Sequence, residues 1–217
     1  MEKLKRLALG LVIAALTLSV GIGTAIYVKQ RSRATRCTEA SYFPAGMLAH
    51  ERRTEWMGKY YAAVTEQPFT CFEDNAEVYR LLYLPSFEYP TSIRVWRDGD
   101  RYQMTVKQLA AEIGGDVTGK DLSVNSTRTL TNEEWSKIQG LLQNANFWSM
   151  PSKDSRESGL DGVWFILEGR KDGKYHAVER WTPQHDAAFI DLSAYLVEIT
   201  GLKWKNQPSE KQNDQPK

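Results

Sequence analysis

Seven side chains with chemical capacity sit close together in the sequence: Asp161, Trp164, Glu168, His176, Glu179, Arg180 and Trp181. All fall within the stretch from Phe147 to Pro183, which also holds Trp148; His176 is the one of the chain's three histidines inside it. A histidine facing a carboxylate across a strand has the makings of a general base with its orienting partner. His176 with Glu168 or Glu179, and Asp161 nearby, would supply that pair for a hydrolase. The same residue types also serve structure, as a half-buried histidine hydrogen-bonded to a neighbouring carboxylate. No GxSxG, HExxH or paired-cysteine signature accompanies them, so hydrolysis is the second reading. The first is binding, with Trp164, Arg180 and Trp181 lining a groove for a ligand or peptide. Core packing is the competing use of the two tryptophans.

The elements that must position these residues are legible around them. Val163–Gly169 and Lys174–Trp181 are apolar-rich runs flanking Lys171-Asp172-Gly173, a strong hairpin signal. Two registers fit. A two-residue Asp-Gly turn sets Trp164 across from Trp181 and Leu167 across from Val178. A three-residue loop with left-handed Gly173 sets Ile166 against Val178 and Glu168 against His176. Apolar residues fall on both faces in either case, which predicts a central pair of strands.

Upstream, Glu77–Leu84 reads as a strand covered on both faces and stopped by Pro85. The segment SIRVWRDGDRYQMTVK follows. An Asp98-Gly99 turn there places Val95 opposite Tyr102 and Ile93 opposite Met104, with Trp96 facing Arg101. Asp121–Leu130 alternates loosely as a further strand. Thr131 and Glu134 form a capping box, with Leu130 and Trp135 as its hydrophobic staple. Trp135, Ile138, Leu141 and Leu142 make the apolar stripe of the helix that follows. The last helix spans about Asp186–Thr200, with Phe189, Leu192, Leu196 and Ile199 on one stripe and Gly201 at its end.

Before all of this, Ala45–Val64 reads as a helix with Met57, Tyr60, Tyr61 and Val64 at helical spacing. Its position makes it a juxtamembrane spacer packing only partly on the domain. Leu7–Val28 carries no charge, and its 22 residues are long enough to cross a hydrocarbon core of roughly 30 Å. Basic residues flank it on both sides. A cleaved signal peptide ending at Gly23-Thr24-Ala25 is the alternative, but Ile26-Tyr27-Val28 prolong the apolar run past that point. A short N-tail ahead of a long soluble domain is the usual layout of a signal anchor facing outward. A Cys37–Cys71 disulfide is compatible with that side of the membrane, and two free thiols with the other.

Composition narrows the function classes. A net charge of +1 over 217 residues provides no field for nucleic acid. Cys37 and Cys71 form no CxxC and lie near no histidine pair, so neither a metal nor a cofactor is expected. The ordered series YRLLYLPSF, LTNEEW, NFWxxP, GLDGVWFILEG, GKYHAVERWTP and TGL resembles a bacterial protein family with no assigned activity. Its members often carry a signal or membrane segment. The resemblance spans roughly Val78–Leu202 and implies one domain and envelope association.

The expected fold is therefore α+β: an N-terminal transmembrane helix, then a mostly antiparallel sheet of about six strands with helices packed on one face. Residues 1–36 would anchor the chain, 37–74 form the juxtamembrane helix and loop, 75–204 the globular domain and 205–217 a disordered tail. The expected partner is the membrane, through residues 7–28. The expected location is the bacterial inner membrane, crossed once, with the domain outside the cytoplasm.

Overall fold

The computed structural model describes residues 42–44, 47, 51–72, 76–110, 121–153 and 161–202. Six antiparallel strands form one sheet in the order β4-β3-β2-β1-β5-β6, with three helices among the described residues. The strands are β1 (Val78–Pro85), β2 (Thr91–Asp98), β3 (Arg101–Leu109), β4 (Leu122–Leu130), β5 (Val163–Lys171) and β6 (Lys174–Trp181). The helices are α1 (Glu51–Ala63), α2 (Asn132–Asn144) and α3 (Ala187–Glu198). The α+β class and the strand count match the sequence reading. Leu7–Val28 and the tail from 205 lie outside the described residues. Among those that are described, no helix is long and apolar enough to cross a membrane.

The helices do not share one face of the sheet. Side chains alternate along a strand, and β1 is buried at every position. Tyr79 and Leu81 join Trp135, Ile138 and Leu142 of α2 and Phe189, Leu192 and Leu196 of α3 on the first face. Leu82 and Leu84 join Met57, Tyr60, Tyr61 and Val64 of α1 on the second. The expectation of one covered face failed because α1 was assigned to the membrane side of the chain. Its Met57, Tyr60, Tyr61 and Val64 are at most 1% exposed, so it is a full layer of the fold.

Two hairpin registers decide what meets what. In β2–β3 the closing pair is Asp98 with Arg101, and Val95 pairs with Met104 and Ile93 with Val106. The turn is therefore Gly99-Asp100, with Gly99 at φ 60° as a type II′ turn requires of its first central residue. The expected Asp98-Gly99 turn was one residue early. The faces survive, since the pairing slips by two, but Trp96 meets Gln103. The cation over its ring is Arg94, 4.7 Å away, and not Arg101. In β5–β6 the two-residue alternative holds: Trp164 pairs with Trp181 and Leu167 with Val178. Asp172 and Gly173 both take positive φ, 50° and 73°, as a type I′ turn demands. Of this pair only β5 is interior; β6 is an edge strand.

The start of α2 follows its sequence signature. Thr131 Oγ1 accepts from Glu134 N–H at 3.1 Å, and Glu134 Oε2 accepts from Thr131 N–H at 2.8 Å. Arg128 clamps the same glutamate at 2.6 Å. Thr131→Ala removes the acceptor for a helix-start N–H and is expected to cost about 0.5–2 kcal/mol. Glu134→Ala frees both the reciprocal bond and Arg128. Urea melts of the two variants check the cap, and a neutral Thr131→Ala would show that it contributes nothing.

Candidate functional site

The β5–β6 register separates the residues that a hydrolase would need together. Leu167 and Val178 lie in the first-face core, and so by alternation His176 and Arg180 face α2 and α3. Glu168 and Glu179 face the opposite side, towards Ile166 and α1. His176 thus has the sheet between it and both carboxylates; its strand neighbour is Gly169. Asp161 is exposed ahead of β5. Trp164 and Trp181 meet with ring centroids 4.8 Å apart and planes tilted by 51°. Arg180, pointing the other way, cannot complete a groove with them.

His176 and Arg180 each have structural partners. His176 Nε2 lies 2.9 Å from the Met150 carbonyl, and its ring meets Phe147 edge to face at 5.2 Å. Arg180 donates to the Pro151 carbonyl at 3.0 Å and to Asp186 at 3.2 Å, where Asp186 also caps α3. Glu179 N–H donates to the Ser152 carbonyl at 2.8 Å. Together, three consecutive carbonyls, from Met150 to Ser152, are fastened along β6. Gly169 belongs to the same arrangement: a Cβ there would stand 2.5 Å from the Phe147 ring, so only glycine admits that ring onto the sheet.

On the second face Glu168 enters a buried ionic network that the sequence reading missed. Arg80, fully buried in β1, donates to Glu168 through Nε at 3.0 Å and a terminal nitrogen at 2.8 Å. Its other terminal nitrogen reaches the Gln67 carbonyl at 2.7 Å and Glu66 at 3.5 Å. The guanidinium lies 3.8 Å from the Tyr61 ring centroid and 4.6 Å from that of Phe69. Tyr175 donates to the other oxygen of Glu168 at 2.9 Å. Arg94 and Lys107 also converge on Glu66, at 3.1 and 3.5 Å. Burial alone would lower the Arg80 pKa, but Glu168 and Glu66 outweigh it and hold the guanidinium charged. Burial and the Glu168 carboxylate push the Tyr61 and Tyr175 hydroxyls up, keeping both neutral. A lone arginine inside EVYRLLYL was the available signal, since a charge in a strand buried on both faces requires a buried partner.

An open cleft of about 490 Å³ lies at the other end of β5–β6, where the turn meets the end of α2. Aromatic lining comes from Tyr79, Phe147 and Trp148, and polar lining from Gln139, Gln143, Asn146, Lys171 and Lys174. Gln139 Nε2 is shielded from solvent and completes no hydrogen bond, although its amide lies near enough to Tyr79 to bear on that hydroxyl. Lys171 is held by Glu77 at 2.7 Å. Asn146 takes φ 48°, a left-handed conformation that asparagine tolerates, and so turns the chain from α2 into Phe147–Ser149. The cleft unites residues from three separate segments, which no local spacing could reveal. Comparison with protein-family models, curated proteins and solved structures found no match for this chain.

Two outcomes test these assignments. Arg80→Met strands Glu168 in the interior and is expected to cost about 3–5 kcal/mol, with partial recovery in Arg80→Met/Glu168→Gln. Denaturant melts that show the double variant no better than the single would reject the network as a coupled unit. For His176, burial lowers the folded-state pKa, with the Arg180 charge adding to it and the Met150 bond opposing. Its stabilising contribution is therefore complete above the ordinary histidine value of about 6.5 and declines as pH falls towards the folded pKa. Melting temperature should drop as pH falls below about 6.5 more steeply in the wild type than in His176→Gln. Equal slopes would place the titration elsewhere.

Proposed function

We propose that this chain is a membrane-tethered binding module of the bacterial envelope, with the cleft between α2 and the β5–β6 turn as its ligand site. The observation that carries this reading is the lining. Aromatic rings of Tyr79, Phe147 and Trp148 stand beside three side-chain amides, two lysines and Asp172, the mixture of apolar wall and few convergent polar groups common to ligand pockets. A small polar ligand with one apolar face fits this chemistry. The uncharged run from Leu7 to Val28 supports the tether. Cys71 is disulfide-bonded, and the chain's other cysteine is Cys37, outside the described residues. Such bonds persist in oxidising compartments, in favour of a domain outside the cytoplasm.

Ligand-observed NMR on the full-length chain in detergent tests the site, with glucose, N-acetylglucosamine and alanyl-alanine as probes. Binding of at least one is expected, weakened about fivefold by Gln139→Leu, which removes a hydrogen bond worth roughly 1 kcal/mol. Trp148→Ala should weaken it further. No binding by any probe, or binding indifferent to both variants, would defeat the assignment.

A further inference from the structure

The two edges of the sheet are treated differently. Along β6, the outward Glu179 N–H is taken by the Ser152 carbonyl, and Ala177 to Trp181 are buried. Along β4, residues 125–129 are all exposed. Among the described residues, none pairs with its outer side. Proteins usually blunt such an edge with proline, lysine or a bulge. β4 has no proline and no lysine, and its one irregularity lies beyond Val124, opposite Gln108 and Leu109.

Which backbone groups point outward follows from the hairpin. The two-residue turn makes Asp98 and Arg101 a hydrogen-bonded pair, so alternate residues of β3, from Tyr102 to Gln108, direct theirs to β4. Arg97 N–H bonding to Glu77 and Ala110 N–H bonding to Asp121 agree with that phase. Their partners Val124, Ser126, Arg128 and Leu130 are thus committed inward, which leaves Asn125, Thr127 and Thr129 facing out. The side chains around them are already occupied on their own sheet. Thr127 bonds Thr105 at 2.7 Å and Thr129 bonds Gln103 at 3.3 Å. Arg128 is drawn aside to Glu134 and the Ile199 carbonyl.

We infer that β4 pairs with β4 of a second copy of this chain, antiparallel about a two-fold axis through Thr127. In that register Asn125 meets Thr129 of the second copy and Thr127 meets itself, so all three outward residues exchange backbone bonds with one another. Arg128 then faces Ser126 of the second copy, and no like charges oppose. Centring the pair on Arg128 would set two guanidinium groups against each other, a destabilising match. The strand is its own complement: rich in hydroxyls, with its one charge, Arg128, drawn to Glu134, and, among the described residues, unpaired along its outer backbone.

Sedimentation equilibrium of the full-length chain in density-matched nonionic detergent tests this. A protein mass of about twice 24.8 kDa is expected. Thr127→Pro deletes a central outward N–H at an edge position where proline is tolerated, and should weaken dimerisation at least tenfold. Asn125→Lys/Thr129→Lys sets like charges across the join and should do the same without touching the Thr105 bond. Circular dichroism melts establish that the variants are folded, and the double-lysine variant stands in if the proline variant is not. A monomeric wild type, or a dimer that survives in the folded double-lysine variant, would overturn the proposal; the latter would assign association to another surface.

Discussion

The rest of the structure depends on the charge of Arg80 being satisfied where water cannot reach it. Taking a guanidinium out of water costs several kcal/mol unless its donors all find acceptors in good geometry. Here the acceptors come from different parts of the chain: Glu168 from β5, and Glu66 with the Gln67 carbonyl from the segment after α1. The Tyr61 and Phe69 rings close over the cation. One side chain thus fixes the β1–β5 pairing and seats the α1 layer. Three cations (Arg80, Arg94, Lys107) share two carboxylates (Glu66, Glu168), an excess of one positive charge that removal of either acid would raise to two.

The same network explains an unfavourable backbone. α1 ends in a Schellman arrangement, with Glu66 N–H reaching the Tyr61 carbonyl at 2.8 Å and Thr65 N–H the Ala62 carbonyl at 3.0 Å. The left-handed position falls on Thr65, φ 55°, where glycine would be usual. A β-branched residue there costs roughly 1–2 kcal/mol. Lys107 compensates by donating to both the carbonyl and the hydroxyl of Thr65, each at 3.0 Å. The exit from the helix is held by tertiary contacts where local preference would have resisted it, and that exit delivers Glu66 to Arg80.

How much of this was legible in sequence follows from the range of the forces involved. The Thr131–Glu134 box, the stripes of α2 and α3 and the existence of both hairpins are local, and each was readable from spacing. The register of β5–β6 was open because Asp-Gly suits two turn types, and only the positive φ of Asp172 selects between them. The β2–β3 turn was misplaced by one, and the register by two, because Asp-Gly looks like a type I′ turn while the chain uses Gly-Asp as type II′. Partnerships across 88 residues, such as Arg80 with Glu168, have no local trace. Glu168 was read as the partner of His176; it bonds Arg80 instead, on another strand and on the face away from His176.

The two faces of the sheet consequently divide the work. The second face concentrates the charges and must stay closed, since water admitted there would weaken every ion pair it screens. On the first face the core is apolar, with Tyr102 stacked on Trp135 at 4.6 Å and Phe147 pressed onto Gly169. An apolar core tolerates an incomplete margin far better than an ionic one, because lost contacts there leave no stranded charge. The cleft opens at such a margin, where α2 ends and the chain turns through Asn146. That margin can stay open because the charges that must be sealed from water lie on the opposite face.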